Sequence, residues 1–101
     1  MEVSVIIPCY NVESYILTCL ESLKNQSFKN FEIVIVDDGS TDNSESVIKS
    51  FLIETSISFK YIKQNNNGPS SARNNGILNS VGKYIALLDS DDSFTPEKKK
   101  K

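Results

Sequence analysis

Phe31-Glu32-Ile33-Val34-Ile35-Val36-Asp37-Asp38-Gly39-Ser40 decides how this chain folds. Its first six residues are nearly continuous in apolar, β-branched side chains, the composition of a strand buried on both faces. The run then stops at two acids and a glycine, which reads as a loop. Upstream, Val3-Ser4-Val5-Ile6-Ile7 is a similar run ended by Pro8, and downstream Lys83-Tyr84-Ile85-Ala86-Leu87-Leu88 predicts another buried strand over 84–88.

Helical patterns separate these strands. From about Val12 to Asn25, Tyr15, Ile16, Cys19, Leu20 and Leu23 recur at spacings of three and four, with Asn11 or Ser14 available to cap the start. Asp42 and Glu45 resemble a capping box that opens a second helix, whose buried stripe is Val47, Ile48, Phe51 and Leu52. Phe59 to Ile62 makes a short third strand. The polar stretch Gln64 to Gly68 leads to Pro69, suited to a first helical position, and the third helix carries Ala72, Ile77, Leu78 and Val81 before stopping at Gly82. Alternating strands and helices predict right-handed β-α-β units. The expected architecture is a half-Rossmann, three-layer α/β/α domain with a mainly parallel four-stranded sheet and helices on both faces.

Composition narrows the function classes. The 101 residues, 39% hydrophobic and 24% charged, suit one soluble domain with one core. A net charge of −2 and basic residues that form no stripe outside Lys98 to Lys101 argue against nucleic acid. No apolar stretch approaches a membrane span and no signal-peptide layout is present, so the chain reads as cytoplasmic, a longer parent being free to associate with the membrane from that side. Cys9 and Cys19 are expected to stay thiols, and the absence of histidine excludes a Cys-His nucleophile pair and makes the usual zinc sets poor candidates.

Parallel α/β sheets bind ligands beyond the carboxyl ends of their strands. The polar motifs of this chain fall there. Asp89-Ser90-Asp91-Asp92 crowds three carboxylates behind the fourth strand, where repulsion is relieved by protons or by a cation such as Mg²⁺ or Mn²⁺ that also holds a phosphate. A solvated acidic loop with Asp92 as a turn cap is the competing reading. Asp37 and Asp38 stand where a carboxylate can accept from a ring N–H or a ribose hydroxyl, whereas a turn and cap account for Gly39, Ser40 and Asp42 but not for both acids. Asn67 to Gly76 joins a loop to a helix start that favours anions, with Arg73 placed to reach a phosphate or else to lie on a solvated helix face.

Taken together, Ser4-Val5-Ile6-Ile7-Pro8-Cys9-Tyr10-Asn11, Val36 to Asp42, Asn67 to Gly76 and Asp89 to Asp92 resemble, in order and spacing along residues 3 to 97, the inverting glycosyltransferases of family 2, which have a GT-A fold and use nucleotide-diphosphate sugars. The resemblance implies that Pro8, Tyr10 and Asn11 border the nucleobase pocket, that Tyr10 supplies a ring face, and that Asp38 hydrogen-bonds the base, with Asp37 and Gly39 in the same nucleotide-binding loop. It places Arg73 near the diphosphate or ribose. Asp89 and Asp91 take the DxD positions with Asp92 beside them, holding Mg²⁺ or Mn²⁺, and Glu13 matches a frequent acid without a firm role. A UDP-sugar is the expected donor.

The same resemblance implies that an acceptor site and a general base belong to a further half. Residues 1–97 are therefore expected to be the nucleotide-sugar-binding half of a truncated enzyme, inactive alone in sugar transfer, and residues 98–101 a lysine tail. Two other classes stay open. One is a non-catalytic module that self-associates through the face the missing half would cover, and the other a receiver-like signalling domain that binds Mg²⁺.

Overall fold

Every residue of strand β2 (Phe31–Asp37) is buried, because it is hydrogen-bonded on both sides and covered on both faces. Its neighbours are β1 (Val3–Cys9) and β3 (Ser58–Lys63), and β4 (Tyr84–Leu87) pairs with the far side of β1, giving the parallel order β3-β2-β1-β4. This computed structural model describes residues 1–91. Helices α1 (Ile16–Lys24) and α2 (Ser44–Ile53) share one face of the sheet, and α3 (Pro69–Leu78) lies on the other. The expected three-layer, Rossmann-like fold is present.

Strand alternation divides the core. Val5, Ile7, Ile33 and Ile35 meet Ile16, Cys19, Leu20 and Leu23 of α1 and Ile48 and Leu52 of α2, while Ile6, Val34 and Val36 point to α3. Both cysteines are buried.

Four local expectations need correction. The first helix begins at Ile16 rather than Val12, because the Val12 carbonyl accepts the amides of Tyr15 and Ile16 in a turn and neither Asn11 nor Ser14 caps the helix. There is no capping box on α2. Asp42 takes the Ser44 amide and hydroxyl, and Glu45 turns instead to Lys49 and Lys63. Helix α3 starts at Pro69 as read but ends at Leu78, and it rests on Ala72 and Gly76 while Ile77, Leu78 and Val81 are exposed. Small residues win there because α3 lies too close to β1 for large ones: a Cβ on Gly76 would stand 2.5 Å from Ile6 Cγ2.

The fourth correction concerns β4. Among the described residues it is an edge strand, with Tyr84 63%, Ile85 40% and Leu87 52% exposed, not the buried strand its composition predicts. It is fixed from below. Glu32, itself buried, accepts the Ser4 hydroxyl at 2.6 Å and the Val81 amide at 2.8 Å, and the Ser4 hydroxyl oxygen accepts the Gly82 amide at 2.8 Å. Burial pushes the Glu32 carboxyl upward, but these bonds and nearby Lys60 outweigh it and hold the group below the usual range.

Gly76→Ala tests the close approach of α3. Better helix propensity contributes about 1 kcal/mol, and overpacking against buried Ile6 costs more, so urea unfolding is expected to show a net loss of about 1–2 kcal/mol. An unchanged midpoint would mean that the helix does not sit this close to the sheet.

Candidate functional site

The register Cys9↔Asp37 brings the carboxyl ends of β1 and β2 level, and the Asp38 amide extends the ladder by donating to the Cys9 carbonyl at 2.8 Å. On the other side of β1, the Leu88 amide donates to Ile6, so Asp89 emerges at the same edge. The order changes direction between β1 and β4, and a cleft of about 520 Å³ opens there. Its walls include Pro8, Tyr10, Tyr15, Asp38, Arg73, Asp89 and Asp91.

Six of the ten residues singled out in the sequence thus share one cavity. Asn11, Asp37 and Gly39 do not line it, and Asp92 lies outside the described residues. The three that stand back build the rim. Asn11 has φ 51°, a left-handed conformation that Asn tolerates, and its Oδ1 accepts the amides of Thr41 at 2.8 Å and Asp42 at 3.2 Å. Its own amide donates to Ser40 Oγ at 2.9 Å, so one residue joins the loop after β1 to the loop after β2. Asp37 accepts the Ser40 amide on Oδ1 and the Tyr61 hydroxyl, 2.6 Å away, on Oδ2. Burial, then that hydrogen bond to Asp37, pushes the Tyr61 phenol far up, so it stays a donor. Gly39, at φ 81°, passes so near the next loop that a Cβ would stand 2.9 Å from the Asn66 amide nitrogen.

Asp38 is the buried acid of the cleft, 5% exposed. Oδ1 accepts Gln64 Nε2 and the Asn67 amide, both at 2.8 Å, and Oδ2 accepts the Gly68 amide at 3.0 Å. Among the described residues, only a long contact of 3.5 Å from Asn66 Nδ2 fills the rest of Oδ2. A carboxylate has about four acceptor positions, so one remains for a ligand donor. Burial alone would raise the Asp38 carboxyl, but the bonds from Gln64, Asn67 and Gly68 prevail and hold it below the ordinary range. Asn67 and Gly68 belong to the motif read at the start of the third helix, whereas Gln64 and Asn66 did not stand out in the sequence. The only signal of Gln64 and Asn66 was the polar composition of the segment before Pro69.

Across the cleft, the Arg73 guanidinium is 3.9 Å from Asp89, a loose pair with both side chains partly exposed. Arg73 lies on α3 past its first turn, whose N-terminus carries free amides beside Gly68 and Pro69. The carbonyl of Asp89 accepts the Cys19 thiol at 3.8 Å, which ties the acidic turn to α1. Among the described residues no group of three or more metal-ligating side chains is gathered. Asp89 and Asp91 nonetheless line one cavity, and two carboxylates completed by phosphate oxygens are a set that Mg²⁺ accepts.

The profile of glycosyl transferase family 2 matches residues 4–101. The chain belongs to glycosyltransferase family 2. It is 48% identical over 91 residues to glycosyltransferase GlyA of Streptococcus pneumoniae, covering 90% of this chain and 13% of that protein. Putative glycosyltransferase EpsH of Bacillus subtilis is 45% identical over 95 residues, 94% of this chain and 27% of that one. This family 2 chain therefore spans at most about a quarter of the length of these relatives. Among solved structures, S. aureus TarS in complex with UDP superposes with a TM-score of 0.88 at 36% identity, over 99% of this chain and 30% of that one. A mannosyltransferase from Pyrobaculum calidifontis in complex with GDP-Man and Mn²⁺ has a TM-score of 0.87 at 22% identity, over 96% and 29%, and shares the fold. The sheet and helices described above are thus those of a GT-A, Rossmann-like domain. No described helix of the family 2 chain is long and apolar enough to cross a membrane.

The buried Asp38 gives an acid-stability prediction. Its folded pKa is depressed, so its stabilisation is complete above the unfolded value of about 4 and is lost as pH falls through the folded value. Asp38→Asn should cost about 2–3 kcal/mol near pH 7, because an amide cannot accept all the loop donors, and the deficit should shrink near pH 3. Equal pH slopes in urea melts of the two proteins would contradict this.

Proposed function

We propose that the cleft binds the nucleotide part of a sugar donor, with a UDP-sugar as the preferred ligand, and that residues 1–97 form the donor half of a longer glycosyltransferase. The observation that carries this reading is the meeting, in one cavity, of an exposed aromatic ring, a buried anionic acceptor, a guanidinium and two carboxylates: Tyr10, Asp38, Arg73, Asp89 and Asp91. Each suits a different part of a nucleoside diphosphate. Tyr10 offers a face for a base, and Asp38 offers its remaining acceptor position to a ring N–H. Arg73 and the amides at the start of α3 suit phosphate oxygens.

Asp89 and Asp91, with Asp92 next in sequence, are the residues that would hold Mg²⁺ or Mn²⁺. When bound, the cation neutralises the charge of the diphosphate. The loose Arg73–Asp89 pair would part on ligand binding, Arg73 going to phosphate and Asp89 to the cation. That TarS has been solved with UDP and with UDP-GlcNAc supports a uridine ligand. In the longer protein the donor's sugar would pass, with inversion, to an acceptor hydroxyl. A receiver-like reading finds no support, since Asp37 is buried with both carboxylate oxygens occupied and β1 leads to Tyr10 and Asn11 instead of an acid pair.

Titration calorimetry of the 101-residue chain with UDP and Mn²⁺ at ~1 mM ligand should give saturable heat. Arg73→Ala should weaken binding about tenfold or more, the worth of a charge-assisted hydrogen bond. Asp89→Ala combined with Asp91→Ala should bind as wild type does in EDTA. Absence of heat from the wild type, or indifference to both changes, removes the donor-site reading.

A further inference from the structure

Behind the cleft, four side chains form a hydrogen-bonded series in which every donor points the same way. Asn79 Nδ2 donates to Asn75 Oδ1 at 3.0 Å and to the Asn75 carbonyl at 2.8 Å. With its oxygen so occupied, Asn75 turns its Nδ2 to Gln64 Oε1, 2.9 Å away. Gln64 in turn aims Nε2 at Asp38 Oδ1, 2.8 Å away, with a longer contact to Ser71 Oγ at 3.5 Å. A primary amide can flip and exchange donor for acceptor at little cost in shape. Here Asn79 orients Asn75, Asn75 orients Gln64, and the series ends on the one carboxylate of the four.

We propose that Gln64, oriented by Asn75, is a positioning residue that keeps Asp38 an acceptor-only carboxylate with its free position on Oδ2, and thereby selects a nucleobase edge presenting a ring N–H over one presenting a bare ring nitrogen. This rests on the nucleotide reading of the cleft. Gln64 and the Asn67 amide fill Oδ1, while the Gly68 amide leaves Oδ2 half open. A uracil ring, whose N3 carries hydrogen, fits such an acceptor. Cytosine presents a lone pair at the same place and is repelled. Neither Gln64 nor Asn75 lines the cavity, so their effect must pass through Asp38.

Other titratable groups surround the relay without joining it. Arg73, Asp89, Asp91, Tyr10 and Tyr15 face the cleft, and buried Cys9 lies on β1. Asp37 is engaged by Ser40 and Tyr61, Asp42 by Ser44, and Lys63 and Lys49 by Glu45. None of them shares a described side-chain hydrogen bond with Gln64 or Asp38.

Gln64→Glu replaces the donor by an oxygen and sets two carboxylates side by side, which acid can relieve by a shared proton. UDP affinity with Mn²⁺ is measured for wild type and variant at about pH 7.5 and pH 5, and the variant-to-wild-type ratio cancels the titration of the diphosphate itself. The expected result is about tenfold weaker UDP binding at the higher pH and recovery toward wild type at the lower. Asn75→Asp, remote from the cavity, draws the Gln64 amide away from Asp38 and should lower the UDP-to-CDP preference about fivefold. Circular dichroism confirms that each variant is folded. Wild-type binding of UDP with unchanged pH ratio and base preference in both variants overturns the relay alone. No UDP binding by wild type overturns the nucleotide reading and the relay together.

Discussion

A carboxylate taken out of water must find donors, and this chain takes out two in succession. Asp37 and Asp38 close a strand so deeply enclosed that solvent cannot serve them. What serves them is the local architecture of the cleft. Ser40 and Tyr61 answer Asp37, and Gln64, Asn67 and Gly68 answer Asp38, so the loops after β2 and β3 are shaped by the demand of the acids between them. The start of α3, and with it Arg73, stands where it does because Gly68 must present its amide to Asp38. Polar satisfaction, more than apolar packing, fixes the upper edge of the sheet.

This division explains what could be read without coordinates. Strands β1 and β2 were legible because burial on both faces demands an unbroken apolar run, and few other contexts produce one. The stripe of α1 was legible for the same reason, since Ile16, Cys19, Leu20 and Leu23 do enter the core. Helix α3 was less so. Its interface is Ala72 and Gly76, and small residues leave no mark in a pattern that looks for large ones. Likewise Tyr84, Ile85 and Leu87 had the composition of a buried strand, but composition does not tell on which sides neighbours stand.

At the site, residues with charge or an aromatic ring were found, and the amide side chains of Gln64 and Asn66 that serve Asp38 were not. Tyr10, Asp38, Arg73, Asp89 and Asp91 advertise their chemistry by type and by position after strands or at a helix start. Gln64 and Asn75 are ordinary surface residues by type, and their importance arises only from mutual orientation. Asn11 was selected as a wall of the pocket and proves to be the brace between two loops, a role set by its left-handed backbone. The motif marked the right place in that case, while geometry assigned the work.

The clamp of Glu32 and Ser4 on Val81 and Gly82 sits at the opposite edge of the sheet from the cleft, yet it governs the acidic turn. From Gly82 the chain runs straight up β4 against β1, with no bulge to absorb an error in length. The strand thus serves as a measuring rod whose zero is set at the floor. Lengthening the connection before it by one residue would raise Asp89 by about 3.3 Å and turn each β4 side chain to the opposite face. The height at which this domain presents its acids is consequently gauged from the far end of the molecule, by a buried glutamate that does not line the cleft.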